Sequence, residues 1–101
     1  GRYDKYLAVM KDTTAEVSDR ISAIRFLRNY NNHLQVPELL EMLKDNSDDT
    51  EVRVVLAEAL GWFRWSVKKE QIIRTLEELH ESPALPKELS DEINQSIIRL
   101  T

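Results

Sequence analysis

Along this chain apolar residues recur at intervals of three and four rather than alternating, the spacing that gathers them on one face of an α-helix. Tyr3, Tyr6, Leu7 and Met10 mark a first short helix. Val17, Ile21, Ile24 and Leu27, flanked by Phe26 and Tyr30, mark a second that ends in the turn-like run NYNN at 29–32. Pro37 stands where a third can start, with Leu39, Leu40 and Leu43 as its apolar face. Val52, Leu56, Ala59, Leu60 and Phe63 give the fourth its face. Ser66 is the expected N-cap of a fifth helix carrying Ile72, Ile73, Leu76 and Leu79, which the run Glu81–Pro83 stops. The sixth has Pro86 near its first turn and Leu85, Leu89, Ile93, Ile97 and Leu100 on one stripe. With 2 glycines and 3 prolines, breakers are scarce, and the fold class expected is all-α.

The helices repeat. YLAVMKD, ending at Asp12, matches LLEMLKD, ending at Asp45, 33 residues later. A Glu-Val pair then starts the next helix in each unit, and Glu16–Val17 answers to Glu51–Val52 at an offset of 35. That offset predicts a loop two residues longer in the second unit. Thr13–Glu16 resembles a capping box, and Asp48–Glu51 its acidic equivalent. In a looser third unit TLEELHE stands for LLEMLKD, and EINQSIIRL from Glu92 for EVRVVLAEAL. The chain therefore divides into three helical hairpins, near 3–31, 36–64 and 67–101. A single hairpin cannot bury its own apolar face, so the three are expected to stack into a right-handed α-α superhelix of six helices.

The segment LLEMLKDNSDDTEVRVVLAEALGWF, residues 39–63, resembles one HEAT repeat. Asp45 ends its first helix, Val52 and Arg53 open the second, and Ala59, Leu60 and Gly61 close it. The resemblance implies an armadillo-like α-solenoid over essentially the whole chain, with Asp45 and Arg53 in a polar ladder along the stack. The outer units depart from the pattern, since Ser18 and Asn94 follow Val17 and Ile93 where an arginine would be, and a continuous ladder is not expected. The family hosts scaffolds, adaptors, transport receptors and a few enzymes, so the resemblance implies an architecture and leaves the activity open.

A chain of 101 residues is one domain, able to bury about 65% of its unfolded surface. A net charge of -4 weighs against a nucleic-acid surface, which is ordinarily basic. The absence of cysteine excludes disulfides, thiol catalysis and cysteine zinc sites. No apolar run approaches the roughly 18 residues of a membrane helix, and no targeting segment stands out, so a soluble protein of open compartment is expected. The opening Gly1–Arg2, with no methionine, leads us to expect a piece of a longer protein.

The run GWFRW, Gly61–Trp65, holds both tryptophans in five residues. A helical wheel centres Val52, Leu56, Ala59 and Phe63 on the buried arc, with Leu60 at one margin and Val55 and Trp62 at the other. Gly61 falls opposite, in line with Ala57, where a glycine admits a close neighbour. Trp62 is expected to be part-packed, and Trp65 to lie past the helix end. Sealing the joint between repeats explains both rings. Anchoring a partner is the alternative, since Trp and Arg dominate interface hot spots.

Chemical candidates fail on spacing. Arg64, Lys68, Lys69 and Arg74 beside two rings could grip phosphates, yet the overall balance is acidic. The pair His80–Glu81 resembles one of the iron-binding pairs of HEAT-type deoxyhypusine hydroxylases, which need several. His33 has no ligand partner at metal spacing. DNSDDTE from Asp45 has Thr50 where a calcium loop needs glycine and Leu56 where it needs glutamate. No phosphate loop or serine elbow is present, so neither an enzyme nor a cofactor or metal is expected. The expected role is protein recognition or scaffolding, through Val54, Glu58 and Trp62 with Arg64, Trp65 and Lys68 at the rim. Two rivals stand beside it: a structural cap that touches only its parent chain, and a nucleic-acid or phosphate binder using 64–74.

Overall fold

Two aspartates, Asp12 and Asp45, stop two helices in the same way. Each turns the backbone to an extended ψ near 100°, and its Oδ1 accepts from the amide and hydroxyl two residues on, of Thr14 and of Ser47. The computed structural model describes residues 1–30 and 32–101, apart from the side chain of Arg2. Among these are six α-helices: α1 (Arg2–Lys11), α2 (Val17–Arg28), α3 (Val36–Lys44), α4 (Thr50–Leu60), α5 (Lys69–His80) and α6 (Lys87–Leu100). A single 3-10 turn, His33–Gln35, leads into α3. The first repeat's expected end at residue 31 lies outside the described residues.

The chain is all-α. α1 packs on α2, α3 on α4 and α5 on α6, while α2, α4 and α6 pack in a row. Within that row the helices run parallel. The start of α2 is tied to the start of α4 by Arg20 and Asp48, and the end of α2 to the end of α4 by Arg28 and Glu58. Thr50, Glu51 and Val54 face Glu88 at one end of α4 and α6, and Ala57 meets Ser96 toward the other. The Cα extents of 35 × 29 × 16 Å fit two helix layers with axes about 10 Å apart.

Leu39, Leu43, Leu56, Leu60, Ile72, Leu76, Leu89 and Ile93 are among the core residues, each at most 2% exposed. α4 is buried almost all round, because α2, α3 and α6 all pack against it. Val55, which the wheel had at the margin, and Ala57, which it had opposite the buried arc, are therefore both buried, and only Val54, Glu58 and Trp62 form an open stripe after Glu51.

Cap positions correct the repeat register. Glu16 is the N-cap of α2 and Asp49 that of α4, with the Asp49 carboxylate accepting from the Val52 amide at 3.1 Å. These caps stand 33 residues apart, so no longer loop is needed. Neither expected capping box forms: Glu16 and Asp49, not Thr13 and Asp48, are the N-cap residues, and the Asp48 carboxylate accepts from Arg20. The residue matching Arg53 is Arg20, four positions into its unit, and not Ser18. Arg20 Nε donates to the Met10 carbonyl at 3.0 Å, and Arg53 Nε to the Leu43 carbonyl at 2.9 Å. Two further boundaries shift. Lys68 caps α5, while the Ser66 hydroxyl accepts from the Lys68 amide, and Pro86 caps α6, which leaves Leu85 outside that helix. By the same count from the cap, Ser90 rather than Asn94 stands at the arginine position of α6.

Candidate functional site

Gly61 ends α4 with φ -66°, an ordinary helical value, so conformational freedom does not explain it. Space does. A β-carbon there would lie 2.5 Å from Ser96 Oγ, 2.8 Å from Ser96 Cβ and 2.8 Å from Arg99 Nη2. α6 comes this close because Ser96 donates to the Ala57 carbonyl at 2.7 Å. The glycine thus admits a helix, as its place beside Ala57 suggests. Gly61→Ala is expected to cost about 1–3 kcal/mol through overpacking, with partial recovery on adding Ser96→Gly, read by urea denaturation.

Beyond that contact the side chains form a chain of polar and aromatic links. Arg99 donates to Ser96 Oγ at 2.7 Å and to Glu92 Oε2 at 2.8 Å, and its guanidinium lies 5.1 Å from the Trp62 ring centroid. Trp62 Nε1 donates to Glu58, which also receives Arg28 at 2.8 Å. α2, α4 and α6 are thus joined through Arg28, Glu58, Trp62 and Arg99, and Trp62 is held with one face packed, 44% exposed. Trp65 differs. It is 91% exposed, with Arg64 at 5.7 Å from its ring. Phe63, between the two, is 1% exposed and belongs to the core.

A cavity of about 200 Å³ opens here, lined by His33, Trp62, Phe63, Trp65, Ser66 and Val67. Its walls come from the α2–α3 and α4–α5 connections. The exposed large apolar residues are Tyr30, Leu34, Trp62, Trp65, Val67 and Ile98. Each lies in the last turn of α2, α4 or α6 or in the segment that follows. Because those helices run parallel, the six lie toward one end of the molecule, where Trp62, Trp65 and Val67 line one cavity and Tyr30 packs beside Tyr3 and Phe26.

The residues expected to form the surface divide accordingly. Glu58, Trp62, Arg64 and Trp65 come together at this end. Lys68 follows as the half-buried cap of α5, and Lys69 and Arg74 continue along that helix. Val54 does not join them: it lines a separate cavity with Thr50, Glu51 and Glu88 near the start of α4. Of the expected repeat signature, Val52, Arg53, Ala59, Leu60 and Gly61 are buried and Asp45 is exposed as the C-cap of α3. Sequence reasoning missed Arg28, Arg99, Leu34, Val67 and Ile98. Leu34 and Val67 carried a usable signal, since both are apolar residues out of phase with any helix.

His80 is in the last turn of α5 with Glu81 as the following cap, and His33 lines the aromatic cavity. Among the described residues no three His, Cys, Asp or Glu side chains gather where a metal could be held. No described helix is long and apolar enough to cross a membrane. No protein-family model, curated protein or solved structure matches the chain.

Proposed function

We propose that this chain is a protein-recognition module, a short HEAT-like α-solenoid whose aromatic edge docks a partner protein. The observation that carries it is the segregation of six exposed large apolar residues, Tyr30, Leu34, Trp62, Trp65, Val67 and Ile98, toward one end. Scattered apolar residues need no explanation, whereas a gathered patch rimmed by charge marks an interaction surface. Trp62 is pre-ordered by Glu58 and Arg99, so its side chain has little freedom left to lose on binding. Trp65 offers a large free ring beside Arg64, the residue pair most enriched among interface hot spots. The solenoid reading is supported by the parallel row of second helices and by the Asp-capped, Arg-anchored motif recurring at 33 residues.

Replacing Trp65 by the photo-cross-linker p-benzoylphenylalanine is expected to yield a discrete protein adduct on irradiation in lysate of the source cells. The same replacement at Glu77, exposed on α5, should yield none. Equal adducts from both positions, or none from position 65, would count against the proposal. Trp65→Ala is further expected to leave stability within about 0.5 kcal/mol while weakening partner binding by about 2 kcal/mol or more, as thermal melts and a binding titration would register.

A further inference from the structure

The two ladder arginines occupy matching places and have unequal partners. Arg20 spends Nε on the Met10 carbonyl and turns Nη1 and Nη2 to Asp48, at 2.8 and 2.9 Å. Arg53 spends Nε and Nη2 on the Leu43 carbonyl, at 2.9 and 2.7 Å, and no carboxylate of the described residues lies within ion-pair distance of it. Yet it is only 3% exposed. Asp48 precedes the N-cap of α4, and the residue that precedes the N-cap of α6 is Leu85. The third unit thus presents a leucine where the second presents a carboxylate. Burial pushes the Arg53 guanidinium below its ordinary value against the opposing pull of Asp45 and Asp48, whereas bonding to Asp48 raises that of Arg20.

Arg53 borders a cavity of about 300 Å³ whose walls are Lys44, Asn46, Thr50, Leu79, Ser82, Ala84, Leu85 and Pro86. Asn46, Thr50, Ser82 and Lys44, the last paired with Glu41 at 2.9 Å, supply polar groups, Leu79, Ala84, Leu85 and Pro86 an aliphatic wall, and no acidic residue lines it. This chemistry suits an anion with a short apolar stem, since a guanidinium fork matches the two oxygens of a carboxylate.

We propose that this cavity is a carboxylate-binding site, with Arg53 as the anchor and Lys44, Asn46 and Thr50 beside it. Its ligand is a carboxylate on a short aliphatic stem, either a free small acid or an acidic residue of a peptide segment. Arg53 then receives from outside what Asp48 gives Arg20 from within. The site lies at the opening of α4, at the opposite end from the aromatic edge, and stands independently of it.

The test is an NMR titration that follows the Arg53 Nε–Hε signal and the backbone amides. The probes are glutarate and a tetrapeptide ending in glutamate, each against its amidated counterpart. Saturable shifts confined to the cavity are expected with the acids and not with the amides, and the tighter of the two acids identifies the source. Arg53→Lys keeps the charge but loses the fork, and should weaken binding about tenfold. Leu85→Asp leaves Arg53 in place and supplies the missing carboxylate, so it should abolish binding with folding intact. Equal shifts from the amides, no saturable shift with either acid, or undiminished binding to Leu85→Asp would overturn the proposal.

Discussion

Asp48→Ala is expected to lower the unfolding free energy by about 3–5 kcal/mol, the cost of leaving one partner of a buried ion pair alone. The Asp48 side chain is 5% exposed and that of Arg20 is 2%. Arg20 Nε is already committed to the Met10 carbonyl, so losing Asp48 strands a guanidinium between α2 and the α4 cap without its hydrogen-bonded carboxylate. The Lys11–Glu38 pair gives the contrast, with side chains 51% and 43% exposed. Breaking that one should cost no more than about 1 kcal/mol. Arg20→Met with Asp48→Leu should recover much of the loss, because the penalty comes from an unpaired charge rather than from the absence of a bond. Urea denaturation of the four proteins at neutral pH would check this.

The same pair sets an acid limit. The hydrogen bonds from Arg20 hold the Asp48 carboxyl below its ordinary value, against the opposing effect of burial. A group depressed in the folded state stabilises it above the unfolded pKa, about 3.9, and that contribution is lost as pH falls through the folded value. Stability should therefore decline below about pH 4, and in Asp48→Asn the decline should be shallower from a lower starting point.

Phe63→Ala is the second large effect, about 3–5 kcal/mol for deleting a buried aromatic ring. Phe63 is 1% exposed, in a segment where Trp65 is 91% exposed. Within GWFRW the two substitutions should thus separate by several kcal/mol although they are two positions apart. A Phe63→Ala protein as stable as the parent would mean that the end of α4 is not packed as described. Domains of this size hold only about 5–15 kcal/mol in all, so Phe63→Ala should also broaden or abolish the cooperative melt.

The six helices were legible because their apolar faces follow a 3.6 period with few breakers, and period is a local property. The register between units was not. The two Glu-Val pairs set Ser18 against Arg53 and left Arg20, two positions on, unread. What decides register is which acid caps the helix, Glu16 or Asp49, and that depends on where Asp12 and Asp45 have turned the chain. The fourth helix misled the wheel for a related reason. The wheel placed Val55 at the margin because it counted one buried arc, whereas α2, α3 and α6 all pack on α4, with α6 closing over the small residues Ala57 and Gly61. The aromatic edge was half legible. GWFRW announces itself by composition, while Arg99 reaches Trp62 from a helix more than 30 positions away, a juxtaposition that only tertiary packing creates.

Whether the aromatic edge recognises protein through apolar contact is tested most directly by partner capture at about 50 and 200 mM salt, a range over which phosphate binding collapses. The comparison is between the parent domain and a Trp65→Ala variant that melts normally. The account predicts a protein retained at both salt concentrations by the parent and lost from the variant. Capture that falls steeply with salt and is unaffected by Trp65→Ala would contradict it and assign the binding to the basic residues between Arg64 and Arg74.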